Sequence, residues 1–137
     1  MDKNVKPLLD EIEKGLKLLF DDKLTNIILY GSYARGDYDD ESDVDIFALV
    51  KDNEPQKYKD KIIDLEIDLT IKYGIMPSIL LENKEYFTRN QNEEFLFQNV
   101  QKYGKTIYAA WTYIRQMQVL DWKSKGWTGY IGVTSQQ

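Results

Sequence analysis

The segment DVDIFALV at residues 43–50 limits the fold of this chain more than any other stretch. Its unbroken run of apolar and β-branched residues predicts a buried strand. Asp43 and Asp45 then project from one face of that strand, with their Cα atoms roughly 6.5–7 Å apart, because side chains alternate between faces. Two carboxylates so placed can converge on one site. The residues that face the opposite way, into the core, are Val44, Ile46 and Ala48.

A second strand is predicted upstream, in TNIILYGS at residues 25–32. This strand ends at Tyr30, and the chain turns at Gly31 and Ser32. Glycine allows close backbone approach, free N–H groups at such a turn can hold phosphate oxygens, and the serine hydroxyl adds a donor. A phosphate-binding turn beside a carboxylate pair is the minimum equipment for metal-assisted phosphoryl or nucleotidyl transfer, in which Mg²⁺ neutralises triphosphate charge.

The loop between these strands is acidic, with six Asp or Glu residues from Asp37 to Asp45. A calcium loop of EF-hand type is excluded, because Ser42 lies where glycine is required and Ala48 where the bidentate glutamate is required. A charge cluster in a turn is usually solvated. We therefore predict solvated side chains for Asp37, Asp39, Asp40 and Glu41.

The chain contains neither cysteine nor histidine, which removes several chemistries at once. It cannot form a disulfide, a thiolate nucleophile, a Cys or His zinc site, or an imidazole general base. Carboxylate oxygens remain, and they suit hard cations such as Mg²⁺.

The overall charge and hydropathy narrow the set of partners. A formal net charge of −5 argues against broad binding to nucleic acid or to an anionic membrane. The N-terminus lacks a basic region followed by an apolar one, and no apolar run approaches the ~20 residues of a membrane span. We expect a cytoplasmic location.

The remaining segments predict an alternation of helices and strands. Apolar spacing predicts a helix over residues 3–22. Residues 58–73 fit both a helix and a strand; their length, and Gly74 at the position of a C-cap glycine, favour the helix. As a strand, the same segment would align three acids on one face: Asp64, Glu66 and Asp68.

Three further elements are predicted after Gly74. They are a strand at residues 75–83, which Pro77 places at a sheet edge, a helix at 92–103 and a short strand at 105–109. From Trp111 onward the composition changes. We therefore predict one domain over residues 1–110 and a C-terminal extension of unassigned role over 111–137, which either packs back on the domain or docks a partner.

The residues GSYARG followed by SDVD, with ten residues between Ser32 and Asp43, resemble the signature of the DNA polymerase beta-like nucleotidyltransferase superfamily. Within that superfamily the chain is similar to the small stand-alone bacterial minimal nucleotidyltransferases, including KYG before the third strand and EYF after it. The resemblance covers roughly residues 5–110. It implies an α+β nucleotidyltransferase fold, in which helices flank a small mixed β-sheet.

The resemblance also implies roles for individual residues. Gly31 and Ser32 would bind the triphosphate of ATP, and Asp43 and Asp45 would be the catalytic carboxylates that bind Mg²⁺. Arg35 would meet a phosphate, cap the local helix or pair with an acid.

This chain departs from the superfamily pattern at the third carboxylate, which such enzymes usually bring from a neighbouring strand. Ser78 lies where that acid is anticipated, and Glu82 lies on the same strand face two pairs further on. Asp64 or Asp68 could supply the ligand only if residues 58–73 formed a strand. Without histidine, a third acid is also the natural general base.

The resemblance implies three alternative functions. The first is Mg²⁺-dependent transfer of AMP from ATP to a hydroxyl of a protein, as in antitoxins that modify a helical HEPN-type toxin. The second has a small acceptor such as an aminoglycoside, and a chain of 137 residues would then need a homo-oligomer to cover it. The third is a catalytically degenerate antitoxin that acts by binding alone, which Ser78 favours.

Overall fold

A computed structural model describes residues 5–110 of the chain. The predicted extension over residues 111–137 and the predicted helix start at Lys3 lie outside this range. No helix among the described residues is long and apolar enough to cross a membrane. The elements are α1 (Lys6–Phe20), β1 (Leu24–Tyr30), α2 (Ser32–Arg35), β2 (Val44–Val50), α3 (Lys59–Tyr73), β3 (Pro77–Asn83), α4 (Lys84–Asn90), α5 (Phe95–Tyr103) and β4 (Lys105–Ala109), with 3₁₀ turns at Asp21–Lys23 and Pro55–Tyr58.

The four strands form one mixed sheet in the order β3-β2-β1-β4. Strand β1 pairs antiparallel with β2 and β4, whereas β2 pairs parallel with β3. The parallel pair needs a crossover, and α3 supplies it. Strand β3 lies at the sheet edge and begins with Pro77, as predicted, because proline cannot donate to a second neighbour. The predicted α+β architecture, a small mixed sheet flanked by helices, is confirmed.

Strand β2 is covered on both faces, which explains its continuous apolar sequence. Ile46 and Ala48 are fully buried on the face that packs against α1 and α3, as predicted. Phe47 and Leu49 are buried on the opposite face against Phe87 of α4 and residues of α5. The start of β2 is therefore held between two hydrophobic layers.

Helix α1 is amphipathic, and its apolar residues at helical spacing fill the first layer. The helix ends at Phe20, two residues before the predicted end, because Asp21 takes a positive φ of 50° and a 3₁₀ turn follows. Its buried residues are Leu8, Leu9, Ile12, Leu16 and Phe20.

Residues 59–73 form helix α3, so the helical interpretation of the ambiguous segment is confirmed and the strand alternative is wrong. Gly74 ends the helix in the left-handed conformation at φ +70°. Asp64 and Asp68 are exposed on this helix and do not form the acidic strand face.

The end of the domain differs from the prediction in one element. Helix α4 was not predicted, since it is short and its one buried residue is Phe87. The Asn83 side chain caps it by accepting a 2.8 Å hydrogen bond from the Tyr86 N–H. Helix α5 begins at Phe95 rather than at residue 92, and the predicted last strand is confirmed as β4.

Candidate active site

The predicted site residues meet where β1 ends and β2 begins. In the sheet register Tyr30 of β1 lies opposite Asp45 of β2, and Asp45 lies opposite Ser78 of β3. Asp43 is the second residue before Asp45 and directly precedes β2. Gly31 directly follows Tyr30, so the turn and the carboxylate pair share one end of the sheet.

Gly31 is in contact with Asp45. Its backbone has φ +73°, a value that residues other than glycine rarely adopt. A Cβ at this position would lie 3.0 Å from Cγ of Asp45 and would overlap its Oδ2 atom. The turn therefore accommodates the carboxylate only because residue 31 is glycine.

Helix α2 starts at Ser32 and contains four residues. The N–H groups of Ala34 and Arg35 both donate to the Gly31 carbonyl at 3.1 Å. The N–H groups of Ser32 and Tyr33 come before Ala34 in the chain, and the first N–H groups of a helix have no acceptor within the helix. They are therefore available to an anion. The predicted phosphate-binding turn thus has a local geometry suited to that role.

The carboxylate pair carries unbalanced negative charge. Asp45 is half-buried and Asp43 is exposed. Burial raises the pKa of Asp45, the charge of Asp43 raises it further, and Arg35 partly offsets the rise. Burial and the charge of Asp45 also raise the pKa of the Tyr30 hydroxyl. A cation bound by the two carboxylates would relieve this repulsion, and their oxygen donors fit Mg²⁺.

Arg35 is exposed, and its Nε donates to Oδ2 of Asp37 at 3.2 Å. This contact is a pair with an acid, and the role of Arg35 as a phosphate ligand stays a prediction. The rest of the acidic loop is exposed, as predicted, and Asp39 orders it by accepting the Glu41 N–H at 2.9 Å.

Comparison with known proteins identifies the family. A family model for the nucleotidyltransferase domain matches residues 9–103. The chain belongs to the nucleotidyltransferase family.

Two relatives of this nucleotidyltransferase come from Methanocaldococcus jannaschii. "Putative protein adenylyltransferase MJ0141" is 40% identical over 100 residues, covering 73% of this chain and 95% of the relative. A second protein of the same description, MJ0604, is 37% identical over 105 residues, covering 77% of this chain and 99% of the relative. The alignments cover almost the whole length of both relatives. Together with the family model, they show that the chain is a nucleotidyltransferase enzyme.

Solved structures share the fold of this nucleotidyltransferase. A toxin–antitoxin crystal structure with AMP-PNP aligns with a TM-score of 0.54 at 22% identity, over 77% of this chain and 77% of the other. A mutant of the toxin–antitoxin pair MntA–HpeT aligns with a TM-score of 0.52 at 20% identity, also over 77% of each chain.

Among the described residues of this nucleotidyltransferase, no third carboxylate joins Asp43 and Asp45 in a group that could hold a metal ion. Ser78 occupies the position beside Asp45, and Glu82 lies opposite Leu49, about 13 Å further along β3. Glu82 lines a different pocket of about 460 Å³, together with Tyr86 and Glu94. Among residues 5–110, no group of three or more acids is placed to hold a metal ion.

Two residues at the site were not singled out by the sequence. Tyr30 lies beside Asp45 on the neighbouring strand, and its position as the last residue before the Gly-Ser turn was the available signal. Met76 fixes the edge strand beside the acids, because its carbonyl accepts the Val44 N–H at 2.9 Å. No sequence pattern marks Met76.

Proposed function

We propose that this chain is a Mg²⁺-dependent adenylyltransferase that transfers AMP from ATP to a hydroxyl of a protein partner. We further propose that the partner is a HEPN-type helical toxin and that the chain is its antitoxin. The observation that carries the proposal is the contact between Gly31 and Asp45, which joins a phosphate-binding turn to a carboxylate pair. The names of the relatives support protein adenylylation, and the toxin–antitoxin structures of the same fold support the partner class.

In this proposal each site residue has a defined task. The amides of Ser32 and Tyr33, with the Ser32 hydroxyl, bind the triphosphate oxygens. Asp43 and Asp45 would hold Mg²⁺, which when bound neutralises triphosphate charge. Gly31 lets the carboxylate of Asp45 lie against the turn, since a Cβ at residue 31 would overlap its Oδ2 atom.

The transfer forms one O–P bond and breaks another. The acceptor hydroxyl attacks the α-phosphorus of ATP, and the bond to the bridging oxygen breaks, so that pyrophosphate leaves. The hydroxyl proton must also depart. Because the chain has no histidine and Ser78 replaces an acid beside Asp45, we propose that this proton passes to solvent.

Ser78 also favours a second candidate, an antitoxin of this fold that neutralises its toxin by binding alone. A site with two carboxylates holds a metal less firmly than one with three. The two candidates differ in their dependence on Asp43, because the Asp43→Asn variant should lose neutralisation only if neutralisation requires transfer.

A labelling experiment tests the first candidate. The chain is incubated with Mg²⁺ and a purified HEPN-type protein, using ATP radiolabelled on either the α-phosphate or the γ-phosphate. We expect the partner to acquire the α-label and not the γ-label. Labelling with the γ-phosphate would indicate phosphoryl transfer, and labelling that survives both Asp43→Asn and Asp45→Asn would exclude these residues as the site.

A further inference from the structure

Helix α3 exposes an apolar stripe that the core does not use. Ile63, Ile67 and Ile71 follow one another at four-residue spacing and are 38%, 51% and 80% exposed. Met76, 49% exposed, continues the stripe beyond the end of the helix. The stripe lines a groove of about 270 Å³ together with Glu66 and Thr70. Contiguous apolar surface of this kind commonly marks a protein interaction site.

A row of carboxylates runs beside the apolar stripe. Asp60, Asp64 and Asp68 are also spaced by four residues and are all exposed. None of the ion pairs identified among the described residues involves them. Helix α3 thus presents three isoleucines and, in a parallel row, three exposed carboxylates; we call these two rows the α3 surface. Complementary charge across such a surface gives specificity and speeds association.

The C-terminal end of the α3 surface, from Ile71 to Met76, lies at the same end of the sheet as the candidate active site. Met76 is two residues before Ser78, which lies beside Asp45, and its carbonyl binds the residue that follows Asp43. The helix packs on the sheet face opposite the Asp45 side chain, so a partner on the α3 surface reaches the site around edge strand β3. A standard interface covers roughly 800 Å² per partner and can include both.

We propose that the α3 surface docks the protein acceptor, through an amphipathic helix that carries Lys or Arg beside its apolar stripe. This inference rests on the proposed function, because it names how the acceptor of that reaction is held. The apolar stripe supplies the buried contact, and the acidic row selects a basic partner and sets its direction along α3.

A second copy of this chain fits the α3 surface less well. In antiparallel helix pairing it would bring its own acidic row to the same side of the interface, where like charges repel. An external basic helix meets no such repulsion.

The test measures binding of a purified HEPN-type protein that accepts the α-label from this chain, by titration calorimetry, to wild type and to Ile71→Glu. Leu18→Glu is the matched control, because Leu18 of α1 is also 80% exposed. We expect Ile71→Glu to weaken partner binding about thirtyfold and Leu18→Glu to leave it unchanged. Asp64→Lys should weaken binding too, whereas Asp22→Lys, at another exposed acid, should not. Mg²⁺-ATP affinity should be unchanged in all four variants.

Three outcomes would overturn the proposal. The first is equal partner affinity in Ile71→Glu and wild type. The second is a wild-type dimer in light scattering that Ile71→Glu converts to a monomer, which would assign the surface to a second copy. The third is a shift in tryptophan emission in Ile71→Glu, because all three tryptophans lie in residues 111–137 and the shift would assign the surface to that segment. The proposed function itself would fail in a different way: the wild type would not bind Mg²⁺-ATP or would not transfer AMP.

Discussion

Gly31 and Asp45 lie in contact across the junction of β1 and β2, with no room for a side chain between the turn and the carboxylate. The contact brings together the two halves of the sequence signature, GSYARG and SDVD. It places an acid with a raised pKa beside amides suited to bind phosphate. Between Ser32 and Asp43, the side chains of Asp37, Asp39, Asp40 and Glu41 are exposed.

Gly31→Ala should therefore damage both stability and the site. The backbone of Gly31, at φ 73° and ψ −156°, lies in a region that essentially only glycine adopts, which costs about 1–3 kcal/mol for a residue with a Cβ, and displacement of the Asp45 carboxylate adds to that cost. The control is Gly74→Ala, at φ +70° in the left-handed region with nothing within 4 Å, which should lose only about 1–2 kcal/mol. Denaturant unfolding measures both, and Mg²⁺-ATP binding should be lost only in Gly31→Ala. Equal losses of stability in the two variants would contradict the role of the contact.

Asp45→Asn should stabilise the protein in the absence of Mg²⁺. A folded-state pKa above the unfolded value means that the charged carboxylate is disfavoured in the folded state, so the charge lowers stability at pH 7. We expect Asp45→Asn to raise the Tm by a few degrees at pH 7, and Asp43→Asn, at an exposed acid, to change it little. The advantage of Asp45→Asn should shrink as the pH falls through the pKa of Asp45. A lower Tm for Asp45→Asn at pH 7 would argue against burial as the cause.

Ser78→Asp should strengthen the metal site, because it adds a third carboxylate at the position opposite Asp45. We expect about tenfold tighter Mg²⁺ binding, since affinity for a hard cation rises with the number of charged ligands. Without Mg²⁺ the added charge should lower the Tm. Ser78→Asn provides the uncharged control of the same shape, and titration calorimetry with Mg²⁺ makes the comparison. Equal affinities in the two variants would place residue 78 outside the site.

Asp52 should support the fold above pH 4 and lose its contribution in stronger acid. The carboxylate accepts the Glu54 N–H at 2.9 Å and lies 3.2 Å from Lys57 Nζ, and these contacts lower its pKa to about 2. A lowered folded-state pKa means that the stabilisation is present above the unfolded value and disappears as the pH falls towards 2. Asp52→Asn should therefore unfold at lower denaturant concentration at pH 7 and match wild type at pH 2. Asp22→Asn, at an exposed acid before β1, is the control that should match wild type at both values.

The sequence was sufficient to predict β1 and β2, because a two-residue period and an apolar run bounded by glycine depend only on local chemistry. It also favoured helix α3 correctly through length and Gly74. Helix α4 could not be predicted, since one buried residue, Phe87, defines no period.

The pairing of residues on different strands could not be predicted from the sequence either. The alignment of Tyr30, Asp45 and Ser78 across three strands depends on register, which the whole sheet determines. The pairing of Arg35 with Asp37 also required side-chain geometry. The α3 surface likewise emerged only when the buried side of α3 was known.

Titration of Mg²⁺-ATP by calorimetry tests the central claim most directly, namely that Gly31, Ser32, Asp43 and Asp45 form one nucleotide and metal site. We predict that wild type binds ATP when Mg²⁺ is present, that chelation of Mg²⁺ weakens this binding strongly, and that Asp43→Asn and Asp45→Asn remove the Mg²⁺ dependence. Equal ATP binding with and without Mg²⁺, in wild type and in both variants, would contradict the claim.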